Sequence, residues 1–365
     1  MVKKTTYQNV GENYGKKDPV KKLAQQQAAL TSKNILPFKD FPDTRGESAY
    51  VWKQGNILMA SVLEALGTKN LIADDVYSLT GKSYYENISH DTVATIINDL
   101  VTVGARPLTL HAYWAVGHVD WVGDSKRVGH LVNGWKKACD TALVSWGGGE
   151  SPTLRNIVDK KTIILGGSAV GIIGNKKRFI TEDKLKVGDS IILIKSSGPN
   201  ANGISLIRAI SKKLKKGYLT KLSDGQTFGE AVLAKSNIYA KLIKDLLDSG
   251  VNIHYAANIT GHGFRKIMRA KKNFTYVIEK IFEPQELFDV IQKAAGLTNE
   301  EMYATFNMGN DYAIFIPKKD VDKALLIVRK NKFKGISAGH VEKGDKKVII
   351  KPKNIIYNSE SLDLR

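Results

Sequence analysis

The sequence predicts an α/β (α+β) fold in two domains, and three observations lead there. At 365 residues the chain exceeds the size at which single hydrophobic cores stop growing. Apolar strand-like runs alternate with helix-period segments along its whole length. A turn-rich polar stretch, T-E-D-K-L-K-V-G-D-S at 181–190, divides two such alternating halves. We therefore expect an N-terminal arm over 1–45, a first domain over 46–180 and a second over 181–365.

Taken in order, the arm is rich in lysine and glutamine, with a helix-like stretch near 19–30 and then the loop signals P-F-K-D-F-P-D-T-R-G. The first domain reads as strands at 70–77, 107–116 and 162–173 with helical segments between them. The run G-G-S-A-V-G at 166–171 lacks the spacing of a dinucleotide loop and is expected to be buried strand. Past the boundary, I-I-L-I-K opens a strand. Helices are expected near 203–214 and 239–249, and strands at 312–316 and 348–350.

Composition narrows the function classes. Hydrophobic residues make up 42% and charged residues 25%, as in a folded globular protein. The longest nearly apolar run, 163–173, is far short of the roughly 20 residues that span a bilayer. With no apolar segment at the N-terminus, neither export nor insertion is expected, and a cytoplasmic location follows. A single cysteine, Cys139, rules out an internal disulfide and is read as packing. Net charge is +19, yet only 10 of the 55 basic residues are arginine and the lysines are dispersed. That pattern reads first as solvated surface and second as help in attracting a small anionic substrate, ahead of a nucleic-acid partner.

The clearest element is H-D-T-V-A-T-I-I-N-D-L-V-T-V-G-A-R-P at 90–107. Val93, Ile96, Ile97, Leu100 and Val101 make one apolar face. Asp91 or Thr92 is expected to cap the start, and Gly104 with Pro107 to end it. Asp91, Thr95 and Asn98 line the opposite face with Asp99 at its edge. This lysine-rich chain places no lysine on that stripe. Carboxylates and an amide without a cation suit a hard metal ion such as Mg²⁺; the plainer reading is capping plus one solvated carboxylate. Asp74 and Asp75, read as ending a strand, are a possible second source of ligands.

Several glycine turns carry polar residues. V-S-W-G-G-G-E-S-P-T at 144–153 reads either as a tight turn or as a flexible cradle that brings Glu150 to a phosphate or metal. S-S-G-P-N-A-N-G-I-S-L at 196–206 joins a strand to a helix through groups able to receive an anion. N-I-T-G-H-G-F at 258–264 sets two glycines around His262, and E-M-Y-A-T-F-N-M-G at 301–309 follows a helical start. T-G-K-S at 80–83 is not a Walker motif, because Val76 stands where the leading glycine belongs.

In order, N-D-L-V-x-x-G-A-x-P, G-G-G-E, S-S-G-P-x-x-N-G-x-S-L, T-G-x-G-F and E-M-Y-x-T-F-N-M-G resemble the aminoimidazole ribonucleotide synthetase (phosphoribosylformylglycinamidine cyclo-ligase) family, over about residues 5–350. The opening T-Y-Q-N-V-G is similar to that family's Y-x-x-A-G-V. The resemblance implies a homodimer whose N-terminal halves pair strands into a shared barrel, with an α/β domain outside. It also implies ATP- and Mg²⁺-dependent closure of formylglycinamidine ribonucleotide to aminoimidazole ribonucleotide, through phosphorylation of the amide oxygen.

Carried over by position, the resemblance implies catalytic roles for His90, Asn98 and Asp99, and His262 is added as a candidate acid–base residue. Asp75, Lys82, Asp91, Gly147, Gly148 and Gly149 would hold ATP, and Asp75, Asp99 and Glu150 the metal. Ser197, Gly198, Asn202, Gly203, Ser205, Thr260, Gly261, Gly263, Thr305 and Asn307 would line the substrate. The family's D-G-V-G-T-K loop is matched here to D-V-Y-S-L-T-G-K at 75–82, with its glycines missing. Asn200 stands where the family usually has histidine, and His262 where it usually has glycine. Two alternatives stay open: a paralogous enzyme acting on another acceptor, and a non-catalytic nucleotide- or RNA-binding dimer.

Overall fold

The computed structural model describes residues 4–362 and divides the strands between two sheets. The first sheet contains β1 (Lys39–Asp40), β2 (Tyr50–Gln54), β3 (Ile57–Ala65), β4 (Arg106–Val116), β5 (Ser145–Glu150) and β6 (Ile163–Ile173), in the order β1-β2-β3-β6-β4-β5. The second contains β7 (Ser190–Lys195), β8 (Tyr255–Asn258), β9 (Phe274–Ile278), β10 (Asn310–Ile316), β11 (Gly335–Lys343), β12 (Lys347–Ile350) and β13 (Ile355–Asn358), in the order β13-β12-β9-β11-β7-β10-β8. Every pairing is antiparallel except β4 with β5 and β9 with β12.

Helices α1 (Tyr14–Leu30), α2 (Lys69–Thr80), α3 (Tyr85–Val101) and α4 (Ser125–Ala142) belong to the first half of the chain. The apolar stripe of α3 packs on β3 and β6 of the first sheet, and α4 packs on α3. The stripe bearing Asn98 faces the second half. There the Asn98 amide donates to the Asn237 carbonyl at 2.8 Å, and its Oδ1 accepts the Tyr239 amide at 2.9 Å. Helix α3 is therefore buried on both sides, which explains a polar stripe without lysine.

The second sheet carries α5 (Ile204–Ser211), α6 (Phe228–Val232), α7 (Ala240–Asp248), α8 (Glu286–Ala295), α9 (Asn299–Thr305) and α10 (Val321–Lys330) around it. Strand β7 lies inside this sheet. Ile191 and Leu193 point into one core and Ile192 and Ile194 into the other, so its apolar run has no polar alternation.

Three local expectations are corrected. Residues 70–77 form helix, not strand: Lys69, Ile72, Ala73 and Val76, at i, i+3, i+4 and i+7, are buried together with Asn70, and Gly81 at φ +70° stops the helix. Asp75 is therefore exposed on a helix rather than at a strand end. Helix α3 begins at Tyr85, so Asp91 and Thr92 lie inside it and cap nothing. The G-G-G-E segment is the edge strand β5, not a loop. A side chain at Gly149 would meet the Ala112 carbonyl at 2.1 Å, and one at Gly147 the Thr109 hydroxyl at 2.6 Å. The glycines admit β4, whose register shifts beside them.

Among the described residues, no helix is long and apolar enough to cross a membrane. Cys139 is buried, and burial pushes its thiol up to about 12, in keeping with packing.

Candidate active site

A cleft of about 900 Å³ opens between the two halves of the chain. The end of β3 contributes Glu64, α3 contributes Thr95 and Asp99, and the loop between β7 and α5 contributes Asn202. The segment after β8 adds Thr260, Gly261, His262, Lys266 and Arg269, while Tyr14 and Lys21 of α1 close one side.

The floor of the cleft carries opposed charges. Asn258 Nδ2 donates to Asp99 Oδ1 at 2.7 Å, tying α3 to β8 and fixing the carboxylate. Burial, and next the charge of Asp99, push the Glu64 carboxyl up to about 7. Burial, and next the Arg269 guanidinium, push the Lys266 ammonium down to about 8, with Asp99 and Glu64 pulling the other way. Arg269 is anchored by the Gly46 carbonyl at 2.6 Å and lies 3.4 Å from Glu47. Carboxylates and cations that shift one another's titration inside a cleft mark it as the candidate functional site.

The structure sorts the expected residues into three groups. Asp99, Asn202, Thr260, Gly261 and His262 line the cleft. A second group is taken up in hydrogen bonds and packing between elements. Asn307 accepts from Ser196 at 3.2 Å and donates to the Gly198 carbonyl at 2.8 Å, which holds the 196–206 loop. Ser197 donates to the Lys235 carbonyl at 2.5 Å and Thr305 to the Glu301 carbonyl at 2.8 Å. Gly203 lets Phe306 pack, Gly263 lets the Tyr303 carbonyl approach, and Ser205 is half-buried on α5. Asn98 joins the halves as described. His90 Nε2 donates to the Ser236 carbonyl at 2.8 Å.

The third group lies outside the cleft. Lys82 is an exposed partner of Glu230 at 3.1 Å. Asp75 stands on α2, and Gly147, Gly148, Gly149 and Glu150 lie on the exposed edge strand. Asp91, expected to face ATP, is fully buried against Lys69 at 2.5 Å, so the stripe that seemed to lack a cation receives one from 22 residues upstream. Asp75, Asp99 and Glu150 form no cluster; among the described residues no three acidic, histidine or cysteine side chains gather to hold a metal.

Sequence reasoning missed Glu64, Lys266 and Arg269. The signal for Glu64 was present: E-A-L-G-T-K at 64–69 keeps the spacing of D-x-x-G-T-K, at the end of β3 and directly before α2. Glutamate in place of aspartate, and the T-G-K at 80–82, drew the match to the wrong segment. For Lys266 and Arg269 there was no signal beyond their place after T-G-H-G-F.

Comparison with known proteins agrees with this architecture. Models of the AIR synthase related protein family match the chain twice, the N-terminal domain over residues 46–173 and the C-terminal domain over residues 186–351. The chain belongs to this family. Among its relatives, the phosphoribosylformylglycinamidine cyclo-ligase of Methanocaldococcus jannaschii is 30% identical over 327 residues, 89% of either chain. The protein of that name from Coxiella burnetii is 32% identical over 271 residues, 73% of either chain.

Two solved structures illustrate the fold. AaThiL complexed with AMPPCP and TMP superposes with a TM-score of 0.63 at 14% identity, over 94% of this chain and 96% of that one. PurL of Thermotoga maritima complexed with ADP gives 0.57 at 15% identity, over 95% of this chain and 52% of that one. At such identities the likeness is one of fold alone.

Proposed function

We propose that this chain catalyses the ATP-dependent ring closure of formylglycinamidine ribonucleotide to aminoimidazole ribonucleotide, a step of purine biosynthesis. The observation that carries the reading is the cleft in which Asp99 and Glu64 face Lys266 and Arg269. Phosphoryl transfer to an amide oxygen needs positioning and charge neutralisation more than covalent chemistry, and these side chains supply both. The 196–206 loop, braced by Asn307, offers backbone donors and Asn202 to the substrate's ribose phosphate. Thr260 and Gly261 form the opposite wall.

Asp99 and Glu64 suit Mg²⁺, which is commonly held by one or two carboxylates together with phosphate oxygens. The charge of Asp99 disfavours charge on Glu64, which marks a place where a cation is welcome. The ion would neutralise the nucleotide's phosphates. Asp75, Lys82 and the 147–150 strand stand outside this cleft and receive no role.

A homodimer is part of the proposal. Helices cover one face of the first sheet, while Ile57, Leu63, Tyr113 and Ile164 of that sheet stay exposed. Strand alternation puts Ile57 and Leu63 on the same face, which supports closure of the sheet against a second copy. We place the enzyme in the cytoplasm.

The decisive experiment supplies purified protein with formylglycinamidine ribonucleotide, ATP and Mg²⁺. The expected result is stoichiometric phosphate release and formation of the aminoimidazole product. ATP binding without product would assign the chain to another acceptor, in line with its glutamate at 64 and its exchanged residues at 200 and 262.

A further inference from the structure

The N-terminal arm enters the cleft. Asp18 is the one residue of α1 that is buried, although the helix is otherwise largely exposed. Its carboxylate lies 3.0 Å from His262 Nε2 and 2.9 Å from Lys21 Nζ. Tyr14, one turn earlier, stacks on the imidazole with ring centroids 3.8 Å apart. His262 is 4% exposed, holds φ +69°, and is the one imidazole among the cleft's described lining.

The contact with Asp18 selects which ring nitrogen carries a hydrogen. Burial opposes charge on Asp18, but hydrogen bonds from Lys21 and His262 outweigh it and hold the carboxyl below its ordinary range. An ionised carboxylate only accepts, so the hydrogen between the two groups belongs to Nε2. Burial pushes the imidazole down to about 4 against the pull of Asp18, and Lys266 and Arg265 act in the same direction as burial. In the uncharged form, which burial favours, the ring carries its lone pair on Nδ1.

Asn200, in the 196–206 loop, is an amide whose Nδ2 donates to Asp311 at 2.9 Å, and it cannot take a proton.

Resting on the ring-closure reading above, we propose that His262 Nδ1 accepts the proton shed by the attacking nitrogen, and that Asp18 is the positioning residue that sets the tautomer. In that step the nitrogen–carbon bond forms. The bond from that carbon to the phosphorylated oxygen breaks, its electron pair leaves with phosphate, and the nitrogen's proton passes to Nδ1. The imidazolium then formed is offset by Asp18, as a carboxylate offsets an imidazolium in other acid–base pairs. The charged or titratable groups around the ring are Asp18 with its partner Lys21, Tyr14, Arg265 and Lys266.

The test uses the full chain in the ring-closure assay with Asp18→Ala, Asp18→Asn, Asp18→Glu and His262→Ala. Asp18→Ala is expected to lower kcat about 10- to 100-fold with KM within about threefold. Asp18→Asn guards against a folding failure and should lose at least about fivefold, while Asp18→Glu recovers much of the rate. In the His262→Ala background, Asp18→Ala should cost nothing more, because the two act as a unit. Nitrogen NMR of the imidazole should show the Nε2–H tautomer in the parent and a mixture in Asp18→Ala. Parent-like kcat in Asp18→Ala, an undiminished effect without His262, or a tautomer that survives the substitution would overturn the positioning role. An inert parent enzyme would instead overturn the ring-closure reading, while the tautomer measurement still decides what Asp18 does.

Discussion

The Lys69 ammonium lies 2.5 Å from an Asp91 carboxylate oxygen, with both side chains wholly out of water. The other Asp91 oxygen accepts the Ser236 amide at 2.7 Å, so the pair fastens the first half of the chain to the second. Removing one partner leaves a buried charge unpaired. Lys69→Met should cost about 3–5 kcal/mol, read as a fall in the urea midpoint, and adding Asp91→Leu should recover part of it. A loss under about 1 kcal/mol would show that the pair is dispensable.

Asp99 answers to a different measurement. Asp99→Asn keeps the shape and an oxygen for the Asn258 amide, which now donates at 2.7 Å. Stability should change by less than about 1 kcal/mol while kcat/KM for MgATP falls about 100-fold. Wild-type turnover in this variant would remove Asp99 from the site.

Glu64 predicts a pH effect. Burial, and next the charge of Asp99, push its folded carboxyl up to about 7, against 4.5 ordinarily. Between those values the folded chain keeps a proton that the unfolded chain releases. Its stabilising contribution is therefore complete in acid and lost as pH rises through about 7. Glu64→Gln removes the effect, so the stability difference should shift in the variant's favour by on the order of 2 kcal/mol across that window and be level above it. Urea titrations at several pH values read it, and a level difference throughout would contradict the assignment.

Gly203 tests the wall of the cleft. Its φ is +70°, and a β-carbon would stand 1.9 Å from the Phe306 ring. Gly203→Ala should cost about 2–4 kcal/mol. Gly11→Ala supplies the control: φ is +89° but nothing lies within 4 Å, so about 1 kcal/mol is expected. Equal costs would mean that backbone conformation, not the close approach, sets the penalty.

The legible parts of the fold are those with an unambiguous period or spacing. The apolar stripe of α3, the runs that become β4 and β6, and the strand–loop–helix of 190–211 all stand where pattern places them. The misreading at 70–77 came from a short apolar run whose helical period is completed only by Lys69, a residue no pattern marks as buried. The glycines of 147–149 look the same whether they admit a ligand or a neighbouring strand. Here the neighbour is β4.

By itself, the sequence determined two α/β halves, the family, and the segments from which a site would be built. Those follow from periodicity and from short motifs whose meaning is local. Only the tertiary structure decided which side chains face one another: Glu64 with Asp99, Lys69 with Asp91, and Asp18 with His262, across 244 residues. The reason is physical. The charge state of a carboxylate depends on its burial and on its partner, and both are set by packing between elements that the chain order keeps apart.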